Sequence, residues 1–410
     1  MAETQAGQGR WLTRNLVVLS GVSFLQDAAS ELLYPILPLY LTVVLGAPPA
    51  LVGLIEGVAE GTAAVTKLGT GILGDRFRRR PLIGAGYGLA ALGKVLIALA
   101  GAWPMVLAGR VVDRLGKGVR GAPRDALLVV DVPEPARGRA FGLHRAADTL
   151  GAVVGPLLGL AGYELLDHRI QPLLAIAVVP AVLSVALVAA VRERSSGVRR
   201  LGRPEVVRGV RNLPRRYWRV VAVLTVFSLV NFPDALLLLR LNEIGFSVTE
   251  VIAAYVTYNM VYAVASYPAG LLADRLRRPQ VFAVGLVFFA VGYLGLGLVH
   301  SHVLGWLVLG AYGLFAACTD GVGKAWISAL AGPAHQGTAQ GVFQGLSGMG
   351  VLLAGVWAGL LWGGDGQFPL LLSGCVAGLI ALALLVGAMI RPTARTGRPR
   401  DGGDDVAEHA

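Results

Sequence analysis

Charge is scarce in this sequence. Asp, Glu, Lys and Arg make up 15% of its 410 residues, against 55% hydrophobic, and the mean hydropathy is +0.65. A soluble domain of this length needs a larger charged surface. Cysteine is nearly absent: Cys318 and Cys375 both lie inside apolar runs, which excludes a disulfide framework and a thiolate metal site. The histidines are scattered without metal-ligand spacing. No Gly-rich Lys-Ser/Thr phosphate loop is present, because Gly116-Lys117-Gly118 stands inside a hydrophobic segment and lacks the rest, so direct drive by ATP is excluded. No serine sits in a nucleophile elbow, so an enzyme is not expected, and no cofactor or metal is either. Strict apolar/polar alternation is missing too, which excludes a membrane β-barrel.

What is present is long hydrophobic runs. Residues 82–102 and 370–390 are each long enough to cross a hydrocarbon core, for which about 20 residues suffice. Lipid offers the backbone no hydrogen-bond partners, so such runs must be helical. The pattern predicts spans at 15–45, 51–74, 81–102, 104–131, 138–163 and 170–191, then at 218–242, 248–273, 279–300, 303–330, 337–362 and 368–390. The expected fold is therefore an all-α membrane protein, with twelve transmembrane helices in two pseudo-symmetric six-helix bundles. The bundles are 1–191 and 218–390, with a basic linker at 192–217 and a polar tail at 391–410.

The formal net charge is +11, and the basic residues cluster in alternate connections. Arg76, Arg78, Arg79 and Arg80 follow span two, Arg137 and Arg139 follow span four, and Arg275, Arg277 and Arg278 follow span eight. The linker and tail are arginine-rich, whereas the intervening connections are nearly free of basic residues, Arg169 excepted. The positive-inside rule then predicts an inner-membrane protein with both termini and the linker in the cytoplasm. Membrane topology explains the basic balance, and nucleic acid is not an expected partner. The linker reads either as a topogenic loop or as a site for anionic lipid headgroups. Met1–Arg10 is polar and lacks a signal-peptide pattern, so the first run is expected to stay as a span.

The halves repeat. Gly71, Asp75, Arg76 and Arg78 parallel Gly270, Asp274, Arg275 and Arg277, each pair 199 residues apart. The same shift carries Gly138, Ala140 and Gly142 onto Gly337, Ala339 and Gly341. Two matches at one offset indicate duplication of a six-span unit, and transporters so built bind substrate near mid-membrane, between the halves.

On these residues the sequence resembles the major facilitator superfamily over almost its whole length. Gly71, Asp75, Arg76, Arg79 and Arg80 are similar to that family's loop motif after span two, with Arg78 where the motif has glycine. Gly142, Gly151, Gly155, Pro156 and Gly159 resemble its span-five antiporter motif, with Leu160 in place of the final glycine. The resemblance implies a drug:proton antiporter rather than a sugar symporter, although Asp113 and Arg114 replace the Gln-Gly pair common after the span-four arginine, here Arg110. Gly71, Asp75, Arg76, Gly151, Gly155, Pro156, Asp274 and Arg275 are the gating candidates. Read physically, the glycines let helices approach closely and Pro156 can kink span five, so the same residues also fit simple packing.

Ionisable side chains inside spans cost about 2.5–3.5 kcal/mol each on insertion scales and point to function by default. Span one holds Asp27 and Glu31, and span two holds Glu56 and Glu60, each pair four apart and on one face. These four are the proton-coupling candidates, Asp27 and Glu31 foremost because they lie mid-span beside Pro35 and Pro38. In span four, Arg110, Asp113, Lys117, Arg120 and Arg124 fall on one face that cannot meet lipid. The simplest pairing sets the acids of spans one and two against the bases of spans four and five. Asp320 and Lys324, four apart, are placed to pair with each other. Substrate-cavity candidates are Arg110, Asp113, Lys117, Arg145, Asp148, Asn231, Asp234, Tyr258, Asp320, Lys324 and Gln344.

The leading expectation is a secondary active transporter, a proton-coupled antiporter exporting a small organic solute, with that solute, protons and membrane lipid as partners and the chain a monomer. An importer or exchanger of an anionic metabolite or metal chelate is the alternative that the basic face of span four supports. A non-transporting scaffold or sensor is a third, against which the intramembrane charges argue.

Overall fold

The computed structural model describes residues 11–73, 78–128, 131–133, 137–193, 213–331 and 336–390. Asp75, Arg76, most of the linker and the tail lie outside the described residues, as do the side chains of Asp274 and Arg275. The helices are α1 (Arg14–Leu33), α2 (Pro49–Leu73), α3 (Arg79–Ala98), α4 (Trp103–Leu128), α5 (Arg137–Leu165), α6 (Ile170–Ile176) and α7 (Val178–Val188). After the linker come α8 (Arg215–Ser228), α9 (Ala235–Glu243), α10 (Val248–Arg275), α11 (Arg278–Leu298), α12 (His302–Ala331), α13 (Gln336–Leu360) and α14 (Gln367–Ile390). No strand occurs among the described residues. Gly71 stands in the last turn of α2.

Nine helices among the described residues are long and apolar enough to cross a membrane. The others are explained by their sequences. α2 carries Glu56, Glu60 and Lys67, α4 is crowded with charge, and α8 and α9 are parted around Pro233.

Proline sets the breaks. Its ring collides with the carbonyl four residues earlier and it offers no N–H. For Pro180 that carbonyl belongs to Ile176, the last residue of α6; for Pro233 it belongs to Leu229, the C-cap of α8. After α1, Pro35 and Pro38 shift the ladder, so that Tyr40–Val44 forms a π-helical turn and the Leu45 N–H reaches back to Tyr40 O.

The repeat extends to the helix boundaries. α2 and α10, α3 and α11, α4 and α12, and α5 and α13 each begin 199 residues apart.

Side chains tie particular helix ends together. Asn15 at the start of α1 exchanges two hydrogen bonds with the Arg192 backbone, at 2.8 and 3.0 Å. The adjacent Glu193 carboxylate accepts from the Arg79 and Arg80 N–H groups at 2.8 and 3.2 Å, satisfying the free donors at the start of α3. This gathers residues 15, 79–80 and 192–193 at one end, called here the basic end. At the opposite end Tyr40 donates to Ala100 O, Thr249 donates to Glu164 at 2.8 Å, and the Trp362 indole donates to Glu243 at 2.8 Å.

α3 and α4 touch through glycine. A Cβ at Gly93 would lie 2.5 Å from Gly109 O, and one at Gly109 would lie 2.7 Å from Gly93 O; Gly86 meets Gly116 in the same way two turns along. Such approaches let helices pack where lipid provides no hydrophobic drive. Gly93→Val is therefore expected to lower stability by about 1–3 kcal/mol through overpacking. A thermal unfolding midpoint in detergent equal to that of the wild type would contradict this packing.

The interiors of the halves differ. In the second, Phe227, Phe289, Tyr293, Tyr312 and Phe315 form a continuous ring cluster, with centroid separations of 3.9–6.0 Å. The first adds buried ion pairs to its apolar clusters.

Candidate functional site

The buried charges of the first half pair across α2, α3 and α4. Glu56 accepts from Arg110, and Glu60 from Arg114 at 3.1 Å. Lys94 donates to Asp113 at 2.8 Å, with side chains only 1% and 5% exposed. Ions so removed from solvent persist only where paired. The Arg120 guanidinium lies 4.4 Å from the centroid of the Tyr87 ring, and Arg124 donates to Asp125 and to Ser23. The predicted single polar face of span four is thus divided. Arg110 and Arg114, four apart, face α2; Asp113 and Arg120, seven apart, face α3; Arg124 turns to α1. A stripe wide enough to meet three neighbours cannot line one cavity. Lys117 is left exposed.

The acids of α1 face bases of α4 but form no close ion pair among the described residues. Glu31 accepts from the Tyr255 hydroxyl of α10 at 2.6 Å. Asp27 is half-buried, and the charges acting on it are Asp148, Lys117, Arg120 and Arg124. Asp148 itself lies 3.8 Å from His144, which in turn approaches Ser20 at 3.5 Å.

A tyrosine row crosses the middle of the molecule. Tyr34 stacks on Tyr255 at 5.5 Å, Tyr255 on Tyr258 at 5.6 Å, and Tyr258 on Tyr312 at 5.6 Å. Arg110 covers the outer end, 5.9 Å from the Tyr34 centroid. Tyr258 and Tyr312 donate to the two oxygens of Asp234, at 3.3 and 2.8 Å. Tyr262, one turn beyond Tyr258, donates to Asp320 at 3.0 Å and accepts from Arg145 at 3.1 Å. The expected Asp320–Lys324 pair does not form: Asp320 turns to Tyr262 on α10, and Lys324 is engaged through its backbone carbonyl by Gln340, at 2.6 Å. Gln344 accepts from Lys67 at 3.5 Å. Asn231 is half-buried in the break between α8 and α9.

A cavity of about 470 Å³ opens between α5, α10 and α12. Arg145, Thr149, Tyr262, Ser266, Arg278 and Asp320 are among the polar residues that line it. A seam of small residues shuts the opposite end. A Cβ at Gly57 would lie 2.8 Å from Leu352 O, one at Gly355 2.6 Å from Gly53 O, and one at Gly359 3.0 Å from the Ala50 Cα. This seam joins α2 to α13, and its glycines escaped the sequence reading, although Gly53 and Gly57, like Gly355 and Gly359, are spaced four apart as a packing face requires. The singled-out Gly151 and Gly155 lie elsewhere. A Cβ there would lie 2.6 Å from Phe24 O and 2.5 Å from Ala28 O, so these glycines and Pro156, within the same stretch of α5, press that helix against α1.

An all-helical membrane chain, closed at one end over a polar cavity nearer the other, has the build of a solute carrier. The sequence pattern of the Major Facilitator Superfamily matches residues 19–239 and again 221–408, and the chain belongs to that family. It is a transporter and not an enzyme, as its relatives and fold neighbours are. An uncharacterized MFS-type transporter of Methanocaldococcus jannaschii is 31% identical over 383 residues, covering 92% of this chain and 95% of that one. The Multidrug resistance protein MdtH of Proteus mirabilis is 26% identical over 313 residues, covering 74% and 76%. Among solved structures, the nucleoside transporter NupG superposes with a TM-score of 0.73 at 15% identity, covering 93% of this chain and 100% of that one. The peptide transporter POT in complex with sulfate gives 0.75 at 16%, covering 92% and 94%.

Proposed function

We propose that this protein is a secondary active transporter working by alternating access, and that it exports a small organic solute by proton-coupled antiport. The observation that carries the reading is the glycine seam of α2 and α13, which closes one end over a cavity walled by Arg145, Tyr262 and Asp320. Twelve spans in two six-helix bundles accommodate this, with α8–α9 and the charged α2 and α4 completing the nine apolar helices. The basic end faces the cytoplasm of a bacterial-type inner membrane, by the bias of its arginines, so the conformation described is open inward.

Hydrogen-bond chemistry sorts the proton-coupling candidates. A guanidinium stays charged and only donates, so Glu56 and Glu60 neutralise Arg110 and Arg114 only as carboxylates. A phenol can donate to a carboxylate or accept from a carboxylic acid, so Glu31 beside Tyr255 stays satisfied in both forms. Glu31 is also joined across the halves, and that bond must break when the closed end opens. Export is supported by the relative bearing the name Multidrug resistance protein.

The test uses everted membrane vesicles, an imposed pH gradient and a panel of metabolites, antibiotics and siderophores. A transported solute is expected to dissipate the gradient. Glu31→Gln should abolish that response while leaving solute counterflow, which needs no net proton movement. Counterflow with no proton movement in the wild type would overturn the reading. A second reading, exchange of an anionic metabolite, has its own support in the exposed Lys117 and Lys324, which act together on Lys67. Uptake that survives collapse of the gradient but fails in Lys117→Ala would favour it.

A further inference from the structure

We propose that Asp234 is a second proton-binding group, in the second half of the chain, whose partners differ from those of Glu31; the inference rests on the proton-coupled reading above and extends it. Asp234 immediately precedes α9, at the end of the Pro233 break, and is half-buried. Both its oxygens are engaged, one by Tyr258 and one by Tyr312, and both donors are neutral hydroxyls. The groups that face it are Glu31 from α1 and Tyr34 just after it, Tyr258 from α10, Tyr293 from α11, and Tyr312 and Asp320 from α12. The cation on this side, Arg110, lies over Tyr34 and is engaged with Glu56.

This setting contrasts with that of Glu56, Glu60 and Asp113. Each of those is paired with a guanidinium or an ammonium, so adding a proton removes the charge that neutralises a buried cation and sets an O–H beside a group that cannot accept it. A proton added to Asp234 costs no hydrogen bond, because Tyr258 or Tyr312 can rotate its hydroxyl from donor to acceptor. The two acids also stand differently in the transport cycle. The Tyr255–Glu31 bond joins α10 to α1 and is lost when these part, whereas Tyr258 and Tyr312 belong to the same half as Asp234 and travel with it. Tyr255 and Tyr258 are stacked neighbours, so one displacement frees Glu31 while Asp234 stays clasped. A carrier so built binds protons in two settings, one sensitive to the gate and one indifferent to it.

The experiment is pH-difference infrared spectroscopy on the full chain reconstituted in lipid, reading the C=O stretch of protonated carboxyl groups without solute or gradient. The wild type is expected to show a band that grows on acidification. Asp234→Asn should remove one component and Glu31→Gln a different one. Tyr312→Phe keeps the ring stack and removes one hydroxyl, and it should move the frequency of the Asp234 component alone. A spectrum of Asp234→Asn that superimposes on the wild type would overturn the proposal, as would a Tyr312→Phe spectrum with no displaced component. Should Asp234→Asn fail to fold, the Tyr312→Phe result decides. Because no transport is measured, failure here is distinct from failure of the vesicle assay.

Discussion

Arg110→Ala is expected to destabilise the protein by about 3–5 kcal/mol, because it leaves the Glu56 carboxylate buried and without its partner. The side chains of both residues are 4% exposed, so water cannot replace the lost guanidinium. Arg110 also covers Tyr34, and its removal uncovers the end of the tyrosine row. The sign of the double mutant is the sharper test. Glu56→Gln with Arg110→Met removes both charges and restores a near-isosteric pair, and should recover most of the loss, since desolvated ion pairs contribute little net stability. Thermal unfolding in detergent, followed by tryptophan fluorescence for the wild type, Arg110→Met, Glu56→Gln and the double mutant, reads the coupling. Equal losses in the single and double mutants would mean that the pair is not the source of the effect.

Gly53→Val is expected to cut transport by more than about tenfold while leaving the fold intact, because it blocks closure of the seam rather than a packed interior. The Gly53 Cα stands against the Gly355 backbone across α2 and α13, with no room for a side chain. Overpacking at a static contact costs about 1–3 kcal/mol. Here the halves can relieve the clash by parting, so the energy appears as a shift between conformations. A two-state carrier biased by that amount toward the state with the seam parted is moved by roughly 5- to 150-fold in its populations. The check uses a background with Cys318 and Cys375 replaced by serine and a single cysteine at Leu352, which packs against Gly57 and Gly61 across the closed seam. Gly53→Val should make that cysteine react with a membrane-impermeant thiol reagent added outside. Unchanged labelling would show that the seam is not a moving contact.

The fold was largely legible because lipid removes alternatives: a long apolar run has to be helical, and arginines mark one side. The 199-residue shift, read from two short motifs, reappears in four pairs of helix starts. The breaks at Ala177 and at 229–234 were not foreseen, although Pro180 and Pro233 announce them once the carbonyl four residues back is considered. The site was legible only in its ingredients. Glu56, Glu60, Arg110 and Asp113 were all singled out, yet spacing along one helix cannot tell which neighbour each side chain meets. Asp113 went to Lys94 on α3, and Asp320 to Tyr262 rather than to Lys324. The tyrosines were harder still, since a tyrosine in a helix looks the same whether it packs or clasps a carboxylate. Tyr34 and Tyr312 carried no signal of their own, and the small-residue spacing of α2 and α13 went unread because it lies outside the recognised motifs.

The unequal interiors of the two halves have an evolutionary consequence. Descendants of one ancestral unit have kept the same helix register while exchanging the means of cohesion, ions in the first and stacked rings in the second. Duplication relieved each copy of half its obligations. One copy kept many charges paired with one another, and the other kept fewer acids and set them against tyrosine hydroxyls. Swapping sequence between the copies should therefore fail even where backbones superimpose, because each has lost what its sibling kept.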